Sequence, residues 1–130
     1  MILIVFGSTG QVGKRIVRFA LAKGHTVRAF VRYVNSLIDE DIQSDRLEAI
    51  KGSVFDADEV LNALTGSDAV LSALGGSCDG LDKTRSLGIK TIIGQMNKAG
   101  VQRIVAVGGM GVLTNDAGQF LMELPTYPAE

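Results

Sequence analysis

Apolar and polar positions alternate along this chain with two different periods. Ile2 to Phe6 is an unbroken apolar run, the pattern of a strand covered on both faces. From Gln11 to Lys23 the period becomes helical. Val12, Ile16, Phe19 and Ala20 share one face with Val17 beside it, and Lys14, Arg15, Arg18 and Lys23 stay outside. Gly24 is placed to end that helix. Thr26 to Val31, rich in β-branched and aromatic residues, predicts a second strand, and Leu47 to Lys51 a shorter third. Asp56 to Leu64 predicts a helix with Asp56 as N-cap and acids in its first turn. Ala69 to Leu74 is a fourth strand. Thr84 to Lys98 is a helix carrying Leu87, Ile89, Ile92, Ile93 and Met96, stopped by Gly100; Arg103 to Val107 is a fifth strand.

Strands alternating with helices over such short connections imply parallel pairing through right-handed crossovers, with helices on both faces. The expected fold is therefore α/β, a doubly wound parallel sheet of Rossmann type with strand order 3-2-1-4-5. Its switch point lies between strands one and four. Ligands of such sheets bind outside the carboxyl ends of the strands. Gly7, Arg32, Gly75 and Gly108 all fall at those ends and are expected to converge on one crevice.

The chemistry is concentrated after the first strand, at Gly7-Ser8-Thr9-Gly10-Gln11-Val12-Gly13. The first glycine suits a tight strand-to-helix reversal. The second lets a pyrophosphate approach the backbone, and the third lets the helix pack closely on the sheet. The helix start then offers N–H groups and the positive end of its dipole to phosphate. The alternative is a turn that binds nothing. The spacing alone is weak evidence, but a buried strand before it and an amphipathic helix after it make the dinucleotide reading the stronger one.

Cofactor preference is read at the end of strand two. An NAD site usually has an acid there for the ribose hydroxyls. Here the chain runs Arg28-Ala29-Phe30-Val31-Arg32-Tyr33, with no acid until Asp39. The Arg32 guanidinium could fork onto a 2′-phosphate, which puts NADP(H) ahead of NAD(H); otherwise it is a solvated strand-end arginine.

These features together resemble the atypical short-chain dehydrogenases, in particular their NmrA-like and flavin-reductase-like branch. The resemblance rests on the glycine turn, Val31-Arg32, Lys51-Gly52-Ser53-Val54-Phe55-Asp56, Ala69 to Gly75 and Ile104 to Gly109. It implies that Ser8 to Val12 wrap a pyrophosphate and that Arg32 favours NADP. It also implies that Ser53 and Val54 border the adenine and that Leu74-Gly75 pass beneath the ribose. Ser53 stands where the family usually has an Asp. Asp56 is better explained as a helix cap than as its substitute. The classical Ser and Tyr-x-x-x-Lys set is missing, since Gly108-Gly109-Met110-Gly111 follows strand five and Tyr127 has no lysine after it at that spacing. No catalytic residue is therefore assigned.

Composition narrows the rest. At 130 residues the chain is long enough for one domain, and a net charge of -1 with scattered Lys and Arg excludes an electrostatic footprint for nucleic acid or membrane. The apolar start is read as a strand rather than an export signal. A single cysteine, Cys78, points to a reducing, cytoplasmic setting; it is read as a small loop residue, with a redox role as the alternative. His25 is read as a surface turn residue and Ser72 as a strand residue. Phe120, Leu121 and Leu124 suggest a short helix after Asn115-Asp116.

Leu124 to Glu130 reads as a loop cut short. The chain is thus expected to be a truncated product or fragment whose substrate part is missing and whose strand-five edge is open to self-association. The functional expectation is an NADPH-dependent oxidoreductase for a flavin, quinone or small carbonyl substrate. A non-catalytic NADP(H)-sensing module is the alternative, and a site for another adenosine ligand the third reading.

Overall fold

The computed structural model describes residues 1–34, 44–75, 83–108, 114–120 and 123–125. Within them the elements run β1 (Ile2–Phe6), α1 (Gln11–Ala22), β2 (Thr26–Val31), β3 (Leu47–Lys51), α2 (Ala57–Leu64), β4 (Ala69–Ser72), α3 (Thr84–Ala99) and β5 (Ile104–Ala106). The strands form one parallel sheet in the order β3-β2-β1-β4-β5. This is the expected Rossmann-like arrangement, with the direction of winding reversing between β1 and β4.

β1 is central and paired on both sides, so its alternating side chains feed two separate cores. Ile4 and Phe6 join Val60, Leu64, Ile92 and Met96 in the layer under α2 and α3. Leu3 and Val5 face Val17, Ala20 and Leu21 of α1 on the other side. The Phe6 and Phe30 rings tilt against each other at 4.9 Å between centroids. Full burial of side chains of this size contributes roughly 1.5–3 kcal/mol each. Arg28 ties β2 to the end of α2, its Nη1 donating to the carbonyls of Thr65 (2.6 Å) and Ala63 (3.2 Å). A cation there complements the negative end of the helix dipole.

Two helix faces differ from expectation. In α1 the buried residues are Gly13, Val17, Ala20 and Leu21, whereas Val12 is 52% and Phe19 69% exposed. Gly13 is the cause. It is the point where the helix touches the β1 turn, and turning it inward rotates the whole face by one residue, about 100°. In α3 the buried residues are Gly88, Ile92 and Met96, while Leu87 and Ile93 are exposed. Again a glycine, invisible to a hydrophobic count, marks the inward face.

The expected short helix of Phe120, Leu121 and Leu124 falls partly outside the described residues; what is described of it is one 3₁₀-type turn, in which the Glu123 N–H donates to the Phe120 carbonyl at 3.0 Å. Thr114 and Phe120 are joined by an antiparallel bridge, and Asn115 Oδ1 accepts from the N–H groups of Ala117 and Gln119, each at 3.0 Å. The polar side chain closes that preceding turn locally. Leu121, Cys78, Asp39, Tyr127 and Gly109 to Gly111 lie outside the described residues. β5 is paired with β4 alone among the described residues, and its Val105 is 60% exposed. Among the same residues no helix is long and apolar enough to cross a membrane, and no cluster of candidate metal ligands occurs. His25 is half-buried, with its Nδ1 3.2 Å from the Met1 amino group.

Candidate functional site: a cavity at the carboxyl ends of the strands

A cavity of about 350 Å³ opens at the carboxyl ends of β1 to β4. Gly7, Thr9 and Gly10 contribute from the β1 turn, and Phe30, Val31, Arg32 and Tyr33 from the end of β2. Gly52 and Val54 follow β3; Ala73, Leu74 and Gly75 follow β4; Thr84 begins α3.

The three glycines of the turn are required for different reasons. Gly7 has φ +76°, a left-handed conformation, and a Cβ there would lie 2.5 Å from the Ala73 carbonyl oxygen. A Cβ on Gly13 would collide with the Gly7 carbonyl and stand 2.8 Å from Ser8 Cα. Both positions are closed by the protein itself. Gly10 differs, because a Cβ there would meet only the Gly7 oxygen, at an ordinary 3.6 Å. No described protein atom forbids a side chain at Gly10, which borders the cavity.

Gly10 is also the N-cap of α1. It has extended geometry (φ -74°, ψ 170°), no side chain caps the helix, and no acid stands in its first turn. The helix start is thus an array of N–H groups and a positive dipole end beside a cavity. Arg32 is exposed and is the charged group among the described lining residues; no acid is found among them. The walls formed by Phe30, Val31, Val54 and Leu74 are apolar. Donors at one end, apolar walls and a guanidinium fit an elongated anionic ligand with a flat ring better than they fit a neutral polar one.

The candidate residues named from sequence are placed in different ways. Gly7, Thr9, Gly10, Arg32, Val54, Leu74 and Gly75 surround the cavity. Gln11 and Val12 form the exposed first turn of α1, and Gly13 is spent on packing. Ser8 is fully buried and its hydroxyl donates to the Phe30 carbonyl at 3.2 Å, so its side chain locks the turn to β2 and faces away from any ligand. Ser53 is half-buried beside the lining residues, with its N–H held by Glu59 Oε2 at 2.7 Å. Gly108 is not among the lining residues. β5 is three residues long and lies one strand beyond β4, which carries its end away from the switch point.

Several lining residues have no site role assigned from sequence, among them Phe30, Val31, Tyr33, Gly52, Ala73 and Thr84. All but Thr84 sit at or just past a strand's carboxyl end. The topological rule that placed Arg32 would have found them had it been applied to every strand.

A cavity bordered by a glycine-rich turn and a helix start at the switch point of a doubly wound sheet points to a dinucleotide-binding class, and comparison with known proteins gives the family. The NAD(P)H-binding family profile matches residues 7–127, and the chain belongs to that family. A Bacteroides thetaiotaomicron protein solved as a candidate epimerase is 34% identical, with a TM-score of 0.82 over 98% of this chain and 56% of its own. An anaerobilin reductase from Escherichia coli O157:H7 is 25% identical, with a TM-score of 0.68 over 90% of this chain and 54% of its own. Pinoresinol reductase 1 of Arabidopsis thaliana is 36% identical over 80 residues, 57% of this chain and 25% of that protein. The chain spans between about a third and a little over half of the length of the relatives that it matches along most of its own length.

Proposed function

We propose that this chain is the nucleotide-holding part of an NADPH-dependent oxidoreductase acting on a flavin, quinone or small carbonyl compound. The observation that carries the proposal is Gly10: an uncapped helix start whose missing side chain serves no described protein atom and leaves room at the cavity. The pyrophosphate lies against the N–H groups that open α1, within reach of Thr9. Arg32 takes the 2′-phosphate, and the apolar walls of Val54 and Leu74 take the purine. When bound, the dihydronicotinamide supplies a hydride; the residues named here bind and orient, and none is assigned a proton transfer. The reductases among the relatives favour hydride transfer over a purely sensing role. The single cysteine agrees with a reducing compartment.

Calorimetric titration of the 130-residue chain with NADPH and with NADH tests the reading. NADPH is expected to bind at least about tenfold more tightly, equivalent to about 1.4 kcal/mol. Equal affinities would remove Arg32 from its role, and no binding of either would overturn the cofactor assignment. Oxidation of bound NADPH by an added acceptor separates an oxidoreductase from a module that only senses the NADP⁺/NADPH ratio. A sensor must instead bind the two forms with different affinity, because equal binding shifts no equilibrium.

A further inference from the structure

Gly88 is buried at the second turn of α3 and faces the cavity wall from behind. A Cβ built there would lie 2.8 Å from Leu74 Cδ1 and 3.4 Å from Val54 Cγ2. Both of those side chains line the cavity, and both are nearly fully buried. One turn earlier, Arg85 Nε donates to the Leu74 carbonyl at 3.1 Å, fixing the main chain of the same residue. Thr84, at the start of the helix, lines the cavity directly. α3 therefore meets the cavity at three successive levels: it borders it at Thr84, holds the Leu74 backbone through Arg85, and seats the Leu74 and Val54 side chains through the space at Gly88.

We propose that Gly88 is a positioning residue for the purine end of the cavity, setting its width by letting Leu74 and Val54 withdraw against α3. The proposal rests on the reading of this cavity as an NADP(H) site. Its physical basis is one-sided packing. On their inner sides Leu74 and Val54 are embedded in the cluster that also holds Phe6, Phe30 and Ile92, a close-packed core with no room to give. The cavity is the open side. A methyl group at position 88 displaces the flexible end of Leu74, and that end moves into the cavity. The fold tolerates the change, since the contact is with a mobile side-chain terminus and alanine is the better helix former. The ligand site does not.

The test is a titration of the full chain and its Gly88→Ala variant with NADPH and with adenosine 2′,5′-bisphosphate, which carries the purine end alone. Gly88→Ala should weaken both ligands by a similar factor, about tenfold, while Tm moves by no more than about 3 °C. Leu74→Ala alone removes part of the purine wall and should itself weaken both ligands; in that background, adding Gly88→Ala should cost no more than about a further threefold, because the displaced atoms are gone. A purely structural role for Gly88 would lower Tm and cost the same factor in both backgrounds. Wild-type affinity in Gly88→Ala overturns the proposal, as does an equal loss in the two backgrounds. A Gly88→Ala chain that fails to fold overturns it too, since the Leu74 terminus is then not free to move into the cavity. A wild-type chain that binds neither ligand overturns the cofactor reading itself and this inference with it; wild-type binding with no effect at position 88 overturns the inference alone.

Discussion

Of the helices that leave the sheet at its carboxyl edge, α1 and α2 begin in opposite ways. α2 starts on Asp56, whose carboxylate accepts from the N–H groups of Asp58 (3.0 Å) and Glu59 (3.1 Å), with two acids in the first turn. Its exposed donors and positive dipole end are answered from within the chain. α1 starts on Gly10, with neither a capping side chain nor an acid. The same physical demand is present at both starts, and only at α1 is it left to be met from outside. α3, whose Thr84 borders the same cavity, also begins without a side-chain cap among the described residues. The difference teaches where to look for a ligand: at a helix start left unanswered beside a cavity, not at helix starts in general.

Four substitutions would break or sharpen that contrast, in descending order of effect. Gly7→Ala should be the most damaging, since it forces a side chain into a left-handed position and against the Ala73 carbonyl. A loss of about 3 kcal/mol or more in a urea melt is expected, and a wild-type midpoint would show that the turn relaxes. Gly10→Val should act on the other property. Affinity for NADPH should fall by about thirtyfold, roughly 2 kcal/mol, against a stability loss of at most about 1 kcal/mol for the poorer cap. Unchanged NADPH titration in that variant would mean that the space at Gly10 is not used. Arg32→Ala should weaken NADPH by about tenfold, about 1.4 kcal/mol, and leave NADH where it was; a parallel loss for both cofactors would place the arginine on a group they share. Asp56→Ala, the mirror of Gly10, should cost about 1 kcal/mol of stability by loss of the cap. Cofactor affinity in that variant should stay at the wild-type value, and a drop would tie α2 to the cavity.

Much of this was legible in the residues. The apolar run at Ile2–Phe6, the turn glycines and the alternation of periods were enough for the strand order, because parallel strands with short crossovers leave few arrangements open. Arg32 was placed at the crevice by the same logic. Side-chain roles were harder. Ser8 sits inside the phosphate-binding spacing, and nothing local to it says that its hydroxyl turns back to the Phe30 carbonyl. The helix faces went astray where a glycine, not an aliphatic residue, was the inward contact, as at Gly13 and Gly88. A pattern that counts apolar side chains gives weight to Phe19 and none to a residue without one.

By itself, then, the sequence determined the elements, their order in the sheet and the edge at which a ligand site forms, since these follow from periodicity, chain direction and crossover hand. The tertiary structure decided which glycines are closed by the protein and which is left open, how far α1 is rotated, and which wall α3 supports. Those outcomes depend on distances between residues far apart in the chain: Gly7 against Ala73, Ser8 against Phe30, Gly88 against Leu74 and Val54. Close packing is a property of the assembled layers, and no window of residues contains it.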